Sequence, residues 1–170
     1  MRNESLDAVG PAGSIIRVEF VWAGDRYWHI ISAEGAGRSE ILLKSIEGTS
    51  ADDWPPSPPL VSLHRETLPD GRAALLLVGA AGRSHWSASI EAARDEAKLI
   101  FDLACRHGER PQRLGNEYLI APAAKGILAI DLDDARTSGN QKQLRIAPRN
   151  LSESSTSRWK FSISLWSPTA

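Results

Sequence analysis

The sequence predicts a mainly β protein: a single-domain antiparallel barrel or two-layer sandwich of roughly ten strands. Three observations point there. Short apolar runs are separated by turn residues along almost the whole chain. Two pairs of such runs flank tight-turn chemistry, Gly24-Asp25 and Pro69-Asp70-Gly71. Two further segments, 84–91 and 158–166, alternate apolar and polar residues with period two.

Residues 1–13 read as a flexible N-terminal tail, leaving 14–170 as the β-rich domain. The first hairpin joins 15–22 to 27–31. With Gly24-Asp25 as its loop, Trp22 faces Tyr27, Phe20 faces His29 and Val18 faces Ile31. One face then carries an aromatic and aliphatic cluster, which is either core or the lining of a pocket. Residues 38–46 follow as a strand. The run Trp54-Pro-Pro-Ser-Pro-Pro-Leu60 is an extended connection, because its prolines cannot sit inside a sheet. The second hairpin pairs 61–67 with 72–78. Residues 73–78 are all apolar, so that strand is expected to be covered on both faces.

In 84–91, Trp86, Ala88 and Ile90 share one face, with His85, Ser87, Ser89 and Glu91 on the other. The next segment is ambiguous. Residues 91–107 are rich in helix formers and end at Gly108, which would make the fold α+β. However, Leu99, Phe101, Leu103 and Cys105 recur at period two, and this favours a strand at 98–106 after a turn at 92–97. Later strands are expected at 116–120, 127–132, 143–147 and 158–166, the last with Trp159, Phe161, Ile163 and Leu165 inward. The polar stretches 133–142 and 149–157 read as loops.

Composition narrows the function classes. The chain is 42% hydrophobic and 24% charged, ordinary for a globular protein. Its 20 basic and 21 acidic residues are interspersed, so neither nucleic acid nor an anionic membrane is an expected partner. No apolar stretch approaches signal-peptide or membrane-spanning length, and Cys105 has no second cysteine to pair with. A soluble cytoplasmic protein is expected on these grounds. The Asn150-Leu-Ser152 acceptor pattern carries little meaning without secretion.

Several constellations could carry chemistry. If Trp86 meets Leu103 across the 84–91 and 98–106 strands, Ser87 faces Asp102 with His85 one diagonal away. These are the residue types of a nucleophile, base and orienting acid. No G-x-S-x-G elbow accompanies them. His64 and Glu66 alternate onto one strand face with Ser62, as two metal ligands or an acid–base pair would. No spacing identifies a third ligand, and no cofactor is indicated. His29 reads as a satisfied core histidine, His107 as a loop surface residue and Cys105 as a buried, inert thiol. Asp131-Leu-Asp-Asp134 lacks the calcium-loop spacing and reads as a charged strand end. The P-x-x-P spacings fit a stiff connection with Trp54 packed across one end of the fold.

Three functional expectations follow. The first is a non-enzymatic module binding a small apolar or aromatic ligand, or a partner, with Phe20, Trp22, Tyr27, His29 and Trp86 lining the cavity. A structural homo-oligomer using outward-facing Trp28 and Trp166 is the second. The third is a hydrolase or metal enzyme using His64 and Glu66, or His85, Ser87 and Asp102.

Overall fold

The computed structural model of the protein describes residues 3–35, 37–151 and 155–166. Thirteen strands run through them: β1 (Glu4–Val9), β2 (Ile15–Trp22), β3 (Tyr27–Gly35), β4 (Arg38–Ser45), β5 (Leu60–Thr67), β6 (Ala73–Ala81), β7 (Ser84–Ala92), β8 (Lys98–Arg106), β9 (Asn116–Ile120), β10 (Leu128–Leu132), β11 (Ala135–Gly139), β12 (Gln143–Pro148) and β13 (Thr156–Leu165). They form two antiparallel sheets, ordered β1-β2-β3-β4-β9-β12-β11 and β10-β13-β8-β7-β6-β5. Neither sheet closes, so the fold is mainly β and a sandwich, not a barrel. Among the described residues, no helix is long and apolar enough to cross a membrane.

The first hairpin has the expected register, with Trp22 opposite Tyr27, Phe20 opposite His29 and Val18 opposite Ile31. Ala23 N–H donates to Arg26 O at 2.8 Å and closes the Gly24-Asp25 loop. Alternation then sends Ile16, Val18 and Phe20 into the core. Gly71, at φ +83°, completes the Pro69-Asp70-Gly71 turn, and Asp70 accepts from the Arg72 backbone and guanidinium at 3.1 and 2.6 Å. The proline run carries the chain from one sheet to the other. Ser57, buried within it, accepts from Glu117 N–H at 3.1 Å and donates to Glu117 O at 3.3 Å, so a side chain stands in for a neighbouring strand beside β9. Trp54 packs edge-on to Trp86, ring centroids 6.0 Å apart, across that end of the sandwich.

One hydrophobic cluster joins the inner faces of both sheets. Phe101 and Phe161 stack at its centre with centroids 4.9 Å apart. Trp159 is fully buried and donates its indole N–H to Asn116 Oδ1 at 2.8 Å, so the polar end of the largest core side chain is satisfied across the sheets.

Several expectations are corrected. Residues 4–9 are not tail but edge strand β1, paired with β2 from Glu4–Phe20 to Val9–Ile15. Only Leu6 and Ala8 point inward there, too short an alternation to stand out beside Glu4 and Asp7. Residues 98–106 form the strand expected there, and the alternative helix over 91–107 is absent. The β7–β8 register is displaced by two residues from expectation: Trp86 faces Cys105, and Ala88 faces Leu103. Ala92 stays in the ladder opposite Leu99, and the turn closes through Ala93 N–H to Lys98 O, which moves every pair along. The stretch 133–142 contains β11, held by one buried residue, Ala135.

Strand β6 is covered on one face only. Ala74, Leu75 and Leu77 are buried, whereas Leu76 and Val78 are 40% and 53% exposed. His107, expected at the surface, is buried, with Nε2 3.2 Å from Ser157 Oγ and its ring against Trp54.

Candidate functional site

The five residues expected to line a cavity lie mostly in the core. Phe20, Tyr27 and His29 are each no more than 5% exposed, and Trp22 is half-buried. They pack ring against ring: Phe20 on His29 at 4.9 Å, Trp22 on Tyr27 at 5.0 Å. His29 also meets Phe101 of the opposite sheet at 6.3 Å and Tyr118 at 5.4 Å. Its Nε2 lies 3.1 Å from the Tyr118 hydroxyl. Burial lowers the His29 pKa to about 3, so the ring is neutral at physiological pH. This is a polar pair built into an aromatic core.

A polar end adjoins it. His29 backbone N–H donates to Ser45 Oγ at 2.8 Å, and that hydroxyl donates to Glu47 Oε1 at 2.7 Å. Burial pushes the Glu47 carboxyl up to about 7, the Ser45 hydrogen bond and the Arg26 charge opposing the rise. Arg26 is itself buried and donates from Nε and Nη2 to Asp25 at 3.1 and 3.0 Å. Its Nη1 and Glu47 Oε2 have no hydrogen-bond partner among the described residues. Nothing in the sequence around Glu47, between a strand and a proline-rich connection, announces a buried acid; Arg26 reads there as a turn residue.

The residues of the three-member catalytic expectation are not assembled. His85 faces Arg106, Ser87 faces Ala104, and Asp102 faces Ser89. Asp102 is instead the partner of Arg158, at 3.4 Å. His64 and Glu66 do approach, 3.2 Å apart, but on an edge strand with side chains 73% and 50% exposed. Among the described residues, no three His, Cys, Asp or Glu side chains are placed to hold a metal ion. Asp131 and Asp133 are met by Lys98 and Lys160 at 3.6 and 3.9 Å. Cys105 is fully buried, its thiol pushed up to about 12 by desolvation.

A larger depression than those beside Asp131 and Asp133 lies on the outer face of the six-stranded sheet. A trough of about 580 Å³ crosses the strands there, with His85, Ser87, Ala104 and Arg106 on its floor and rim and Val61 and Val78 along one side. Its origin is local. Val61 stands at a bulge in β5, between Leu60 and Ser62, and is 37% exposed. Across the ladder, Val78, Ser87 and Ala104 form one row, and Ala80, His85 and Arg106 the next. Small residues sit mid-sheet between larger ones, so the face is dished. Trp86 alone of the five expected ligand residues borders the trough, and from below, its ring turned to the core. No protein-family model, curated protein or solved structure matches the chain.

Proposed function

We propose that the chain is a non-enzymatic binding module and that its binding surface is the outer-face trough of β5–β8. One observation carries this reading. Strand β6 has the uninterrupted apolar sequence of a strand covered on both faces, yet Leu76 and Val78 stand exposed, Val78 beside Val61 at a concave site. Contiguous exposed apolar side chains at a depression are what a ligand or partner covers. Binding is favoured over catalysis because His85 and Ser87 reach the trough without an orienting acid, and Ser87 is mid-strand. A cytoplasmic setting fits the single, buried thiol.

The test is a titration of ¹⁵N-labelled protein with the fluorophore 1-anilinonaphthalene-8-sulfonate. Saturable shifts at Val61, Val78, Ala80 and Ala104 are expected. Shifts elsewhere, or none, remove the reading.

Assembly is a second reading, favoured by Trp166, which is 59% exposed at the end of β13. Trp28 supports it less, because Lys44 Nζ lies 4.8 Å over its ring. Light scattering that shows a monomer at high micromolar concentration eliminates it.

A further inference from the structure

We infer that the trough takes a small apolar monocarboxylate, its hydrocarbon body against Val61 and Val78 and its carboxylate on Arg106, beside His85. The inference rests on the binding reading above and supplies the chemistry of the ligand.

Charge is the first argument. On the outer face of this sheet the other strand-borne cations are engaged: Arg158 with Asp102, Lys160 with Asp133 and Lys98 with Asp131. Arg72, just before β6, is held by Asp70 and Glu91. Arg106 is exposed, and among the described residues no carboxylate pairs with it. None of the residues lining the trough is acidic. The nearest strand carboxylate is Asp102, which faces Ser89 two rows away and is held by Arg158. The site therefore presents an uncompensated guanidinium, whose planar fork matches a carboxylate in two parallel hydrogen bonds. A single fixed positive charge calls for a single negative one.

Shape is the second argument. Arg106 and His85 face each other in one row, and Val78, Ser87 and Ala104 form the neighbouring row with Val61 beyond. A ligand lying across the strands thus meets charge at one end and apolar surface at the other. The trough volume of about 580 Å³ falls in the range of small-molecule sites.

The experiment titrates the full-length labelled chain with decanoate and decyltrimethylammonium, each below its micelle concentration, and with decanol below its solubility limit. Shifts at Ala80, Ser87 and Ala104 are followed in wild type, Arg106→Gln and Ala104→Trp. The expected result is saturable decanoate binding about tenfold tighter than decanol, as one exposed charge-assisted contact supplies. The ammonium should bind weakest. Arg106→Gln should bring decanoate down to the decanol level and leave decanol unchanged, and Ala104→Trp should abolish both by filling the floor. Equal binding of decanoate and decanol in the trough, unaffected by Arg106→Gln, overturns the carboxylate assignment while the trough stands. No shift at the trough with any probe overturns both. Arg106 is exposed, and amide dispersion in each spectrum reports that the variant is folded.

Discussion

Ser45 Oγ donates to Glu47 Oε1 at 2.7 Å while accepting the His29 backbone N–H at 2.8 Å, linking two buried groups whose pKa values are displaced in opposite senses. Glu47 is raised from 4.5 to about 7, and His29 is lowered from 6.5 to about 3. Between pH 4.5 and 7 folded Glu47 keeps a proton that the unfolded chain has lost, so its contribution to stability falls as pH rises. Between pH 3 and 6.5 the unfolded chain protonates His29 and the folded chain does not, so that contribution is lost as pH falls. The two slopes cancel from pH 4.5 to 6.5. Glu47→Gln removes one of them. Urea unfolding of this variant should show a loss of about 3 kcal/mol on acidification from pH 6.5 to 4.5, at about 1.4 kcal/mol per pH unit, with wild type much flatter. Parallel curves for the two proteins would refute the pairing. Asp52 and Asp70, both held below the usual carboxylate range by hydrogen bonds from Thr49 and Arg72, keep their contributions through this window and lose them only as pH falls below it.

Gly79 sits where the proline connection crosses β6. A Cβ there would lie 1.9 Å from the Pro59 carbonyl oxygen and 2.9 Å from Leu60 Cα, both backbone atoms that cannot turn aside. Gly79→Ala should cost about 3 kcal/mol, the upper end for overpacking, and lower Tm by about 6–12 °C for a domain of this size. Gly35→Ala is the control: nothing lies within 4 Å of its Cβ position and its φ is not positive. Calorimetry reads both. A Gly79→Ala variant melting with wild type would mean that the crossing is looser than described.

Asn116 and Trp159 test the centre of the sandwich. The indole N–H reaches Asn116 Oδ1 at 2.8 Å, and both residues are at most 2% exposed. Asn116→Leu keeps the volume but orphans a buried donor, at a cost of about 1–3 kcal/mol. Trp159→Phe in the same background removes the orphan, so the double variant should recover part of that loss in a denaturant cycle. Simple additivity of the two losses would remove the hydrogen bond from the account.

Much of this architecture is legible in local sequence, because two-residue periodicity and turn chemistry act over a few positions. The 15–31 hairpin shows its register through Gly24-Asp25, and 98–106 shows its strand through Leu99, Phe101, Leu103 and Cys105. What escapes local reading is set by distant partners. β1 exists because β2 offers an edge to Leu6 and Ala8. Ser87 and Asp102 part company because Ala92 extends the ladder by one pair, which no residue type near the turn announces. The aromatic residues of the first hairpin are conspicuous in sequence but are spent on the core. The trough arises from the bulge at Val61 and the juxtaposition of four strands, and only Trp86, His85 and Ser87 of the residues singled out in the sequence fall on it.

Adjacent residues of β6 separate one-sided from two-sided burial. Leu77 is 1% exposed and lies in the core, whereas Val78 is 53% exposed on the outer face. Leu77→Ala removes buried methyl groups from a packed interior and should cost about 2–5 kcal/mol. Val78→Thr exchanges a methyl for a hydroxyl of similar volume at a solvated site, so its effect on folding should stay within about 0.5 kcal/mol. The strand geometry is unaffected, since both residues are β-branched. Denaturant midpoints measure the contrast, and comparable losses at the two positions would mean that both faces of β6 are covered, removing the exposed apolar surface on which the binding reading rests. If the contrast holds, the same Val78→Thr protein should bind decanoate more weakly than wild type while unfolding at the same denaturant concentration, because the hydroxyl weakens apolar contact in the trough without touching the core.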